Sequence, residues 1–256
     1  MAKFSDVSNP KLTVMIGGAT AHNIIDVMKK SIIQGAEAFC ILWAGIAPED
    51  KTSDGIKRIL DAANGMPCYM TNYIRDNSQC ELSDDYLAEQ LLEMARLGAD
   101  LIDVRTDMFC RSKDEITRDF AAVEKQKKLI SEIHSLGSEV LMSTHIFGYR
   151  SPQNVLEIAT LQQNRGVDIA KIVTMANSEK EQEDAFRTNL LLRDQLNIDF
   201  LFLCNGTNCK RHRLLGSFLG SCMYLCVENS RTQENQPTIE RAKAMREMIE
   251  VLEGKI

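Results

Sequence analysis

The chain has 256 residues, of which 44% are hydrophobic and 26% are charged, and its formal net charge is −6. This composition is typical of a soluble globular protein and excludes a disordered or fibrous chain. An acidic chain is also a poor ligand for nucleic acid or for an anionic membrane surface, so the charge favours a small molecule as the partner.

Short apolar runs alternate with longer amphipathic segments along the whole chain, the pattern expected of repeated βα units on a parallel sheet. The predicted strands, in chain order, are 12–16, 38–43, 67–71, 101–104, 139–143, 169–173, 200–203 and 221–225. Helical periodicity is clear in 84–97, 120–136, 152–165, 178–196 and 238–252. Eight strands in this alternating pattern predict an α/β fold, a (β/α)8 TIM barrel.

Neither linkers nor targeting segments interrupt this pattern. No stretch rich in Pro, Gly or Ser marks a boundary, so we expect residues 1–256 to form a single domain. The sequence has no apolar stretch of the roughly 18 residues that a membrane helix needs, and its start lacks a signal-peptide core. We therefore expect a cytoplasmic protein.

The cysteines predict reduced, buried thiols rather than a metal centre. The pairs Cys204/Cys209 and Cys222/Cys226 lack the Cys-x-x-Cys spacing of zinc knuckles, and among the histidines only His212 lies nearby in a loop. We therefore expect no metal site.

A lysine inside the sixth predicted strand is the strongest chemical signal. Lys171 lies in the apolar run 168–175, where alternation of side chains sends Ala170 and Ile172 outward if the lysine points inward. Dry surroundings disfavour the ammonium form and leave an amine that can attack a ketone to form an imine. His145 follows the fifth predicted strand, so both groups are expected near the active-site end of one barrel.

These two segments resemble the histidine and lysine segments of the type I 3-dehydroquinate dehydratases. The similarity is carried by Met142-Ser-Thr-His145-Ile-Phe147 and by 166–175, Gly-Val-Asp-Ile-Ala-Lys-Ile-Val-Thr-Met. Asn205-Gly206 and the segment 213–221 look like that family's later glycine-rich segment, and 232–236 falls at its Ser-x-x-x-Gln loop. The resemblance follows the chain in order and is dense from 141 to 236.

The resemblance implies a TIM-barrel lyase that removes water from a cyclic β-hydroxy ketone without a metal or an organic cofactor, as a homodimer. Lys171 becomes the imine former and His145 the general base and acid. Arg213 is implied to hold the substrate carboxylate, because a planar guanidinium can bind a carboxylate through two hydrogen bonds. Gln236 and Thr232 are implied to hydrogen-bond the substrate from the last loop.

Departures from the family pattern are concentrated in the first half of the chain. The family's second strand ends in Glu-x-Arg, whereas residues 38–45 here carry no charge, and on the third strand the nearest arginine is Arg75. The glutamate that assists the family's histidine falls at Asn77 or Ser78, and Ile146 replaces an aspartate. Losing buried groups that pair with hydroxyls removes discrimination for a polyol, and this loss is compatible with a different substrate and the same imine chemistry.

Two charged residues at the end of the fourth predicted strand could replace some of the lost charge. These candidates are Arg105 and Asp107.

Several other interpretations stay open at this stage. Lys171 could reach water or a carboxylate, and His145 could be a structural histidine. Arg213 could belong to a solvated basic run, because Lys210 and Arg211 precede it in sequence. At the level of function, a class I aldolase uses the same lysine imine, and a non-catalytic binding protein could share the barrel and its anion site.

Overall fold

The strands and helices of this protein alternate along the chain. The computed structural model describes residue 4 and residues 10–72, 82–231 and 235–254. Within these ranges the strands are β1 (Lys11–Ile16), β2 (Ala38–Leu42), β3 (Cys68–Thr71), β4 (Leu101–Arg105), β5 (Glu139–His145), β6 (Ile169–Met175), β7 (Asp199–Asn205) and β8 (Met223–Cys226). The α-helices are α1 (Ala21–Gln34), α2 (Ser53–Ala62), α3 (Asp84–Arg96), α4 (Phe120–Ser135), α5 (Pro152–Gln163), α6 (Glu179–Gln195), α7 (Lys210–Leu215) and α8 (Ile239–Leu252).

Local sequence signals explain where the helices begin and end. Every described α-helix except α7 starts after a Ser, Thr or Asp whose side chain accepts a hydrogen bond from a backbone N–H of the first turn. Glycines follow the ends of α3, α4 and α5, where Gly98, Gly137 and Gly166 have φ of 98°, 91° and 89°. None of the helices in the described ranges combines the length and apolar character needed to cross a membrane.

All eight strands are parallel, and they form a nearly closed barrel in the order β7-β6-β5-β4-β3-β2-β1-β8. The ends of this order approach each other at an isolated bridge between Phe200 and Ser221. The predicted (β/α)8 barrel is therefore confirmed. Parallel strands place their carboxyl ends on one rim, which is where barrels of this kind carry their active sites.

Three strands, β5, β6 and β7, run two residues further toward this rim than the sequence predicts. His145 pairs in register with Val173, and Met175 pairs with Asn205. The predicted loop positions of His145 and Asn205 are thus wrong, because ladder pairing between β5, β6 and β7 continues through them. Each is the last residue of its strand.

The alternation predicted around Lys171 is confirmed. Ala170 and Ile172 lie in the core cluster between the sheet and the surrounding helices, with residues of α5 and α6. Their neighbours Ile169 and Val173 lie in a separate cluster, which fills the barrel interior. Lys171 shares the inward face of β6 with the latter pair.

Leu141 offers a test of the interior packing. It is fully buried in the interior cluster, so Leu141→Ala should lower the free energy of unfolding by about 2–5 kcal/mol, through lost burial and a residual cavity. Urea unfolding followed by circular dichroism measures the change. The matched control is Leu190→Ala on α6, a leucine that is 38% exposed, and an equal loss in both variants would contradict the packing described.

Candidate active site

Lys171 lies in the barrel interior beside two polar side chains of neighbouring strands. The residue is 4% exposed, and its Nζ donates hydrogen bonds to Tyr69 Oη at 2.9 Å and to Asp103 Oδ2 at 3.1 Å. Tyr69 in turn donates to Asp103. The apolar surroundings expected from the sequence are therefore wrong in one respect: a buried carboxylate faces the lysine, and it stabilises the ammonium form.

Four consecutive strands build this cluster. Tyr69 lies on β3, Asp103 on β4, Ser143 on β5 and Lys171 on β6, and Ser143 pairs in register with Lys171. The Ser143 hydroxyl donates to Asp103 Oδ1, so both carboxylate oxygens are occupied. A buried ion pair is tolerated when its remaining hydrogen-bonding positions are satisfied, and the tyrosine and serine hydroxyls do this here.

A glutamine outside the barrel fixes the backbone at the lysine. Gln162 of α5 is fully buried. Its Nε2 donates to the Lys171 carbonyl oxygen at 3.2 Å and to Thr144 Oγ1 at 3.1 Å. The backbone of Lys171 is thus held from the helix side of the sheet, and its side chain is held on the inward side by Tyr69 and Asp103.

His145 lies two residues closer to the rim than Lys171, on the neighbouring strand β5. It is 8% exposed, and its Nδ1 is 2.9 Å from Oε2 of Glu115. The same oxygen accepts a hydrogen bond from the His145 backbone N–H at 2.8 Å. The carboxylate at this histidine therefore comes from the segment between β4 and α4, rather than from the positions of Asn77 or Ser78, which lie outside the described residues.

Five of these residues, Tyr69, Asp103, Glu115, Ser143 and Gln162, were not identified as site residues from the sequence. Asp103 could have been found by the argument used for Lys171, since it is a charged residue flanked by Ile102 and Val104 in a predicted strand. Tyr69 gave no such signal, because tyrosine is common in strands. Glu115 lies in a charged segment that reads as an ordinary loop.

Arg213 is buried on α7, where it contacts the carboxyl end of β7. Its guanidinium donates to Cys204 O at 2.5 Å, Asn205 Oδ1 at 2.5 Å and Gln236 Oε1 at 3.1 Å. Burial lowers its pKa to about 10. Lys210 and Arg211 are exposed, so Arg213 differs from the solvated basic run that precedes it.

The structure brings together Arg213 and Gln236, two of the residues predicted to bind the substrate. Thr232, the third, lies outside the described residues, as does Arg75. Among the residues that the structure describes, the hydrogen-bond acceptors of the Arg213 guanidinium are neutral oxygens. Such a cation, held in place by neutral acceptors, is suited to binding a carboxylate.

Arg105 and Asp107 pair with each other. Arg105 Nη2 is 2.8 Å from Asp107 Oδ1, and Nε donates to the same oxygen at 2.9 Å. Asp107 is 2% exposed and also accepts a hydrogen bond from the Ser112 backbone. This pair brings charge to the end of β4, but each group largely compensates the other.

No metal centre is evident in the part of the chain that the structure describes. There, no group of three or more His, Cys, Asp or Glu side chains is arranged to hold a metal ion. Burial raises the pKa of Cys40 and of Cys204 to about 12. These cysteines are therefore poor metal ligands, because a metal binds the thiolate and not the thiol.

His212 is a buried histidine next to Arg213. Its ring packs edge-on against Phe202 at 5.2 Å between centroids, and its Nε2 is 2.7 Å from Asn189 Oδ1. Burial, assisted by the charge of Arg213, lowers its pKa from 6.5 to about 3. The folded protein therefore holds this imidazole in the neutral form.

This shift predicts a pH dependence of stability. Below pH 6.5 the unfolded chain binds a proton at His212 that the folded chain does not. The contribution of His212 to the free energy of unfolding is therefore complete above that pH and is lost as the pH falls toward 3. Urea unfolding between pH 7 and pH 4 gives the free energy of unfolding as a function of pH. In His212→Gln this free energy should fall less steeply with decreasing pH than in the wild type, by up to about 1.4 kcal/mol per pH unit. The control is His22→Gln, whose side chain is 74% exposed; identical slopes in His212→Gln and the wild type would contradict the prediction.

Comparison with known proteins identifies the family of this chain. The model of the type I 3-dehydroquinase family matches residues 13–254. A search among curated proteins finds no match to the sequence.

Several solved structures share the fold. The 3-dehydroquinate dehydratase of Geobacillus kaustophilus HTA426 matches with a TM-score of 0.80 at 16% identity, over 95% of this chain and 92% of that one. The type I enzyme of Clostridium difficile gives 0.80 at 17% identity, over 94% and 92%. The enzyme of Aquifex aeolicus VF5 gives 0.70 at 19% identity, over 93% and 98%. At such identities these similarities establish the barrel fold alone.

Proposed function

This chain belongs to the type I 3-dehydroquinase family, and on that premise we propose that it is a lyase which eliminates water from 3-dehydroquinate or from a related carboxylated β-hydroxy ketone. The observation that carries the proposal is the position of Lys171. Its amine is buried in the barrel interior, beside Asp103, on the strand next to His145.

The proposed first step forms an imine at Lys171. The ammonium gives a proton to Asp103, and the resulting amine attacks the ketone carbon. The former carbonyl oxygen then leaves as water, and a protonated imine remains. Ammonium plus ketone gives iminium plus water, so the net charge beside Asp103 stays the same. Asp103 can therefore take up the proton, return it to the departing oxygen and then act as the counter-ion of the iminium. Tyr69, bonded to both groups, holds the pair together.

The second step is the elimination. The iminium withdraws electrons from the neighbouring carbon, so His145 can remove a proton from it. The bond from the β-carbon to its hydroxyl then breaks, and the histidine returns the proton to the leaving oxygen, which departs as water. One further water hydrolyses the conjugated iminium, releasing the enone and restoring the ammonium of Lys171.

We propose that Arg213 binds the carboxylate of the substrate. Burial of the guanidinium strengthens its attraction for an anion, and Asn205 and Gln236 fix its plane. Thr232 is proposed as a further hydrogen-bonding partner of the substrate, because it occupies the matching position in the sequence resemblance. We propose a homodimer from the same resemblance, and a cytoplasmic location from the sequence pattern.

The choice between 3-dehydroquinate and another substrate depends on the second strand. At the rim, β2 ends in Leu42 and is followed by Trp43, where the family pattern has charged groups. Apolar side chains leave substrate hydroxyls without partners. This difference favours a carboxylated ketone with fewer hydroxyl groups as a second candidate substrate.

Imine formation can be trapped chemically. Incubation with 3-dehydroquinate and borohydride should add one substrate-derived mass to the peptide that contains Lys171, because reduction makes the imine permanent. Mass spectrometry of the digested protein identifies the site. Lys171→Ala should abolish the adduct, whereas Lys51→Ala should keep it, since Lys51 is a partly buried lysine whose Nζ bonds to the Ala44 carbonyl.

The same experiment separates the alternatives. An adduct on another lysine, or no adduct with any carboxylated ketone, would contradict the imine proposal and favour a binding protein. Where an adduct forms, rising ultraviolet absorbance of a conjugated enone indicates a dehydratase. Cleavage of the trapped ketone into two carbonyl fragments would instead indicate an aldolase.

A further inference from the structure

We infer that Glu115 is the positioning residue of His145 and that it selects the tautomer in which Nε2 can accept the substrate proton. The inference rests on the proposed function for its chemical meaning, although the placement of the histidine can be tested without it. Glu115 belongs to the segment 106–119 between β4 and α4, which we call the β4–α4 loop.

The contacts of Glu115 restrict the histidine in two ways. Its Oε2 accepts a hydrogen bond from the His145 backbone N–H at 2.8 Å and lies 2.9 Å from the ring Nδ1. One oxygen thus ties the ring to its own backbone, which fixes the side-chain torsion. An ionised carboxylate can only accept hydrogen bonds, so Nδ1 carries the proton and the lone pair lies on Nε2.

The backbone at Glu115 is strained. Its φ is +53°, in the left-handed region that residues other than glycine and asparagine rarely adopt. Such a conformation costs about 1–3 kcal/mol and persists where the surroundings impose it. Among the non-glycine residues that the structure describes, Asn64, Phe109 and Glu115 have positive φ, and two of these belong to the β4–α4 loop.

Hydrogen bonds inside the loop hold this conformation. The Ser112 hydroxyl donates to the Ile116 carbonyl at 2.9 Å and accepts from the Ile116 N–H at 2.8 Å. Asp107 accepts from the Ser112 N–H at 2.8 Å. These bonds close the loop around Glu115 and leave its side chain directed at β5.

A buried arginine fastens the loop to the barrel. Arg165, which is 5% exposed, donates to the Thr106 carbonyl at 2.6 Å and the Thr117 carbonyl at 2.5 Å, near the two ends of the loop. Burial lowers its pKa to about 10. Burying a guanidinium on carbonyl oxygens is costly, and the result is a loop whose position relative to β4 and α5 is fixed.

The test compares two variants of Glu115 with a control in the same loop. Glu115→Ala removes the carboxylate, and Glu115→Gln keeps its size and an acceptor oxygen but not its charge. The control is Asp114→Asn, because the neighbouring Asp114 is 55% exposed and pairs with Arg150 rather than with His145. Each variant is checked for native circular dichroism before it is used.

Nitrogen-15 NMR of labelled histidine reports the tautomer directly. The wild type and Asp114→Asn should show His145 with the proton on Nδ1. Glu115→Ala should show a mixture of tautomers, and Glu115→Gln should lie between these states. A wild-type tautomer that persists unchanged in Glu115→Ala would overturn the inference.

Kinetics with 3-dehydroquinate give a second readout. Because the histidine acts after substrate binding, Glu115→Ala should lower kcat about 10- to 100-fold and change KM less than about threefold. Borohydride trapping at Lys171 should remain, and Glu115→Gln should recover part of the rate. A wild-type kcat in Glu115→Ala would overturn the inference.

The two proposals fail in different ways. If the wild type forms no borohydride adduct, the proposed function fails, and the NMR arm alone decides whether Glu115 sets the tautomer. If the wild type forms the adduct but neither tautomer nor kcat responds to Glu115→Ala, the proposed function stands and the positioning role is wrong.

Discussion

The buried ion pair between Lys171 and Asp103 is the interaction on which the rest of the site depends. Each charge, taken from water into the barrel interior, costs several kcal/mol unless a partner and hydrogen bonds compensate it. The pair is 3.1 Å apart, with Tyr69 and Ser143 bonded to the carboxylate. These groups come from four strands, so the two charges are compensated only when the four strands are assembled in the barrel. The same pairing serves the proposed chemistry, since an iminium at Lys171 keeps the positive charge that Asp103 compensates.

Polar side chains outside the barrel preserve this arrangement. Gln162 bonds to the backbone of Lys171, and Arg165 bonds to both ends of the β4–α4 loop. Both residues lie at the end of α5 or just beyond it, so one helix supports the lysine strand and the loop that carries Glu115. A change in the packing of α5 should therefore affect the lysine and the histidine together.

Much of the fold was predictable from local patterns. Alternating apolar runs predicted eight strands, because this signal depends on a few neighbouring residues. The inward direction of Lys171 followed from the period of two in a strand, and the proximity of His145 followed from the shared rim of parallel strands. The strand ends at His145 and Asn205 were missed, because ladder pairing there depends on the neighbouring strand.

The sequence by itself determined the barrel, the buried lysine and a histidine at the same rim, since each follows from periodicity and chain order. Only the tertiary structure decided which groups surround them. Tyr69 and Asp103 are 102 and 68 residues from Lys171 along the chain, and they meet it through strand register and barrel curvature. Glu115 reaches His145 because the path of a loop, which has no periodic signal, is set by contacts such as those of Arg165. Which side chains meet across a barrel depends on how its strands pair around the whole barrel. No local sequence pattern encodes this pairing.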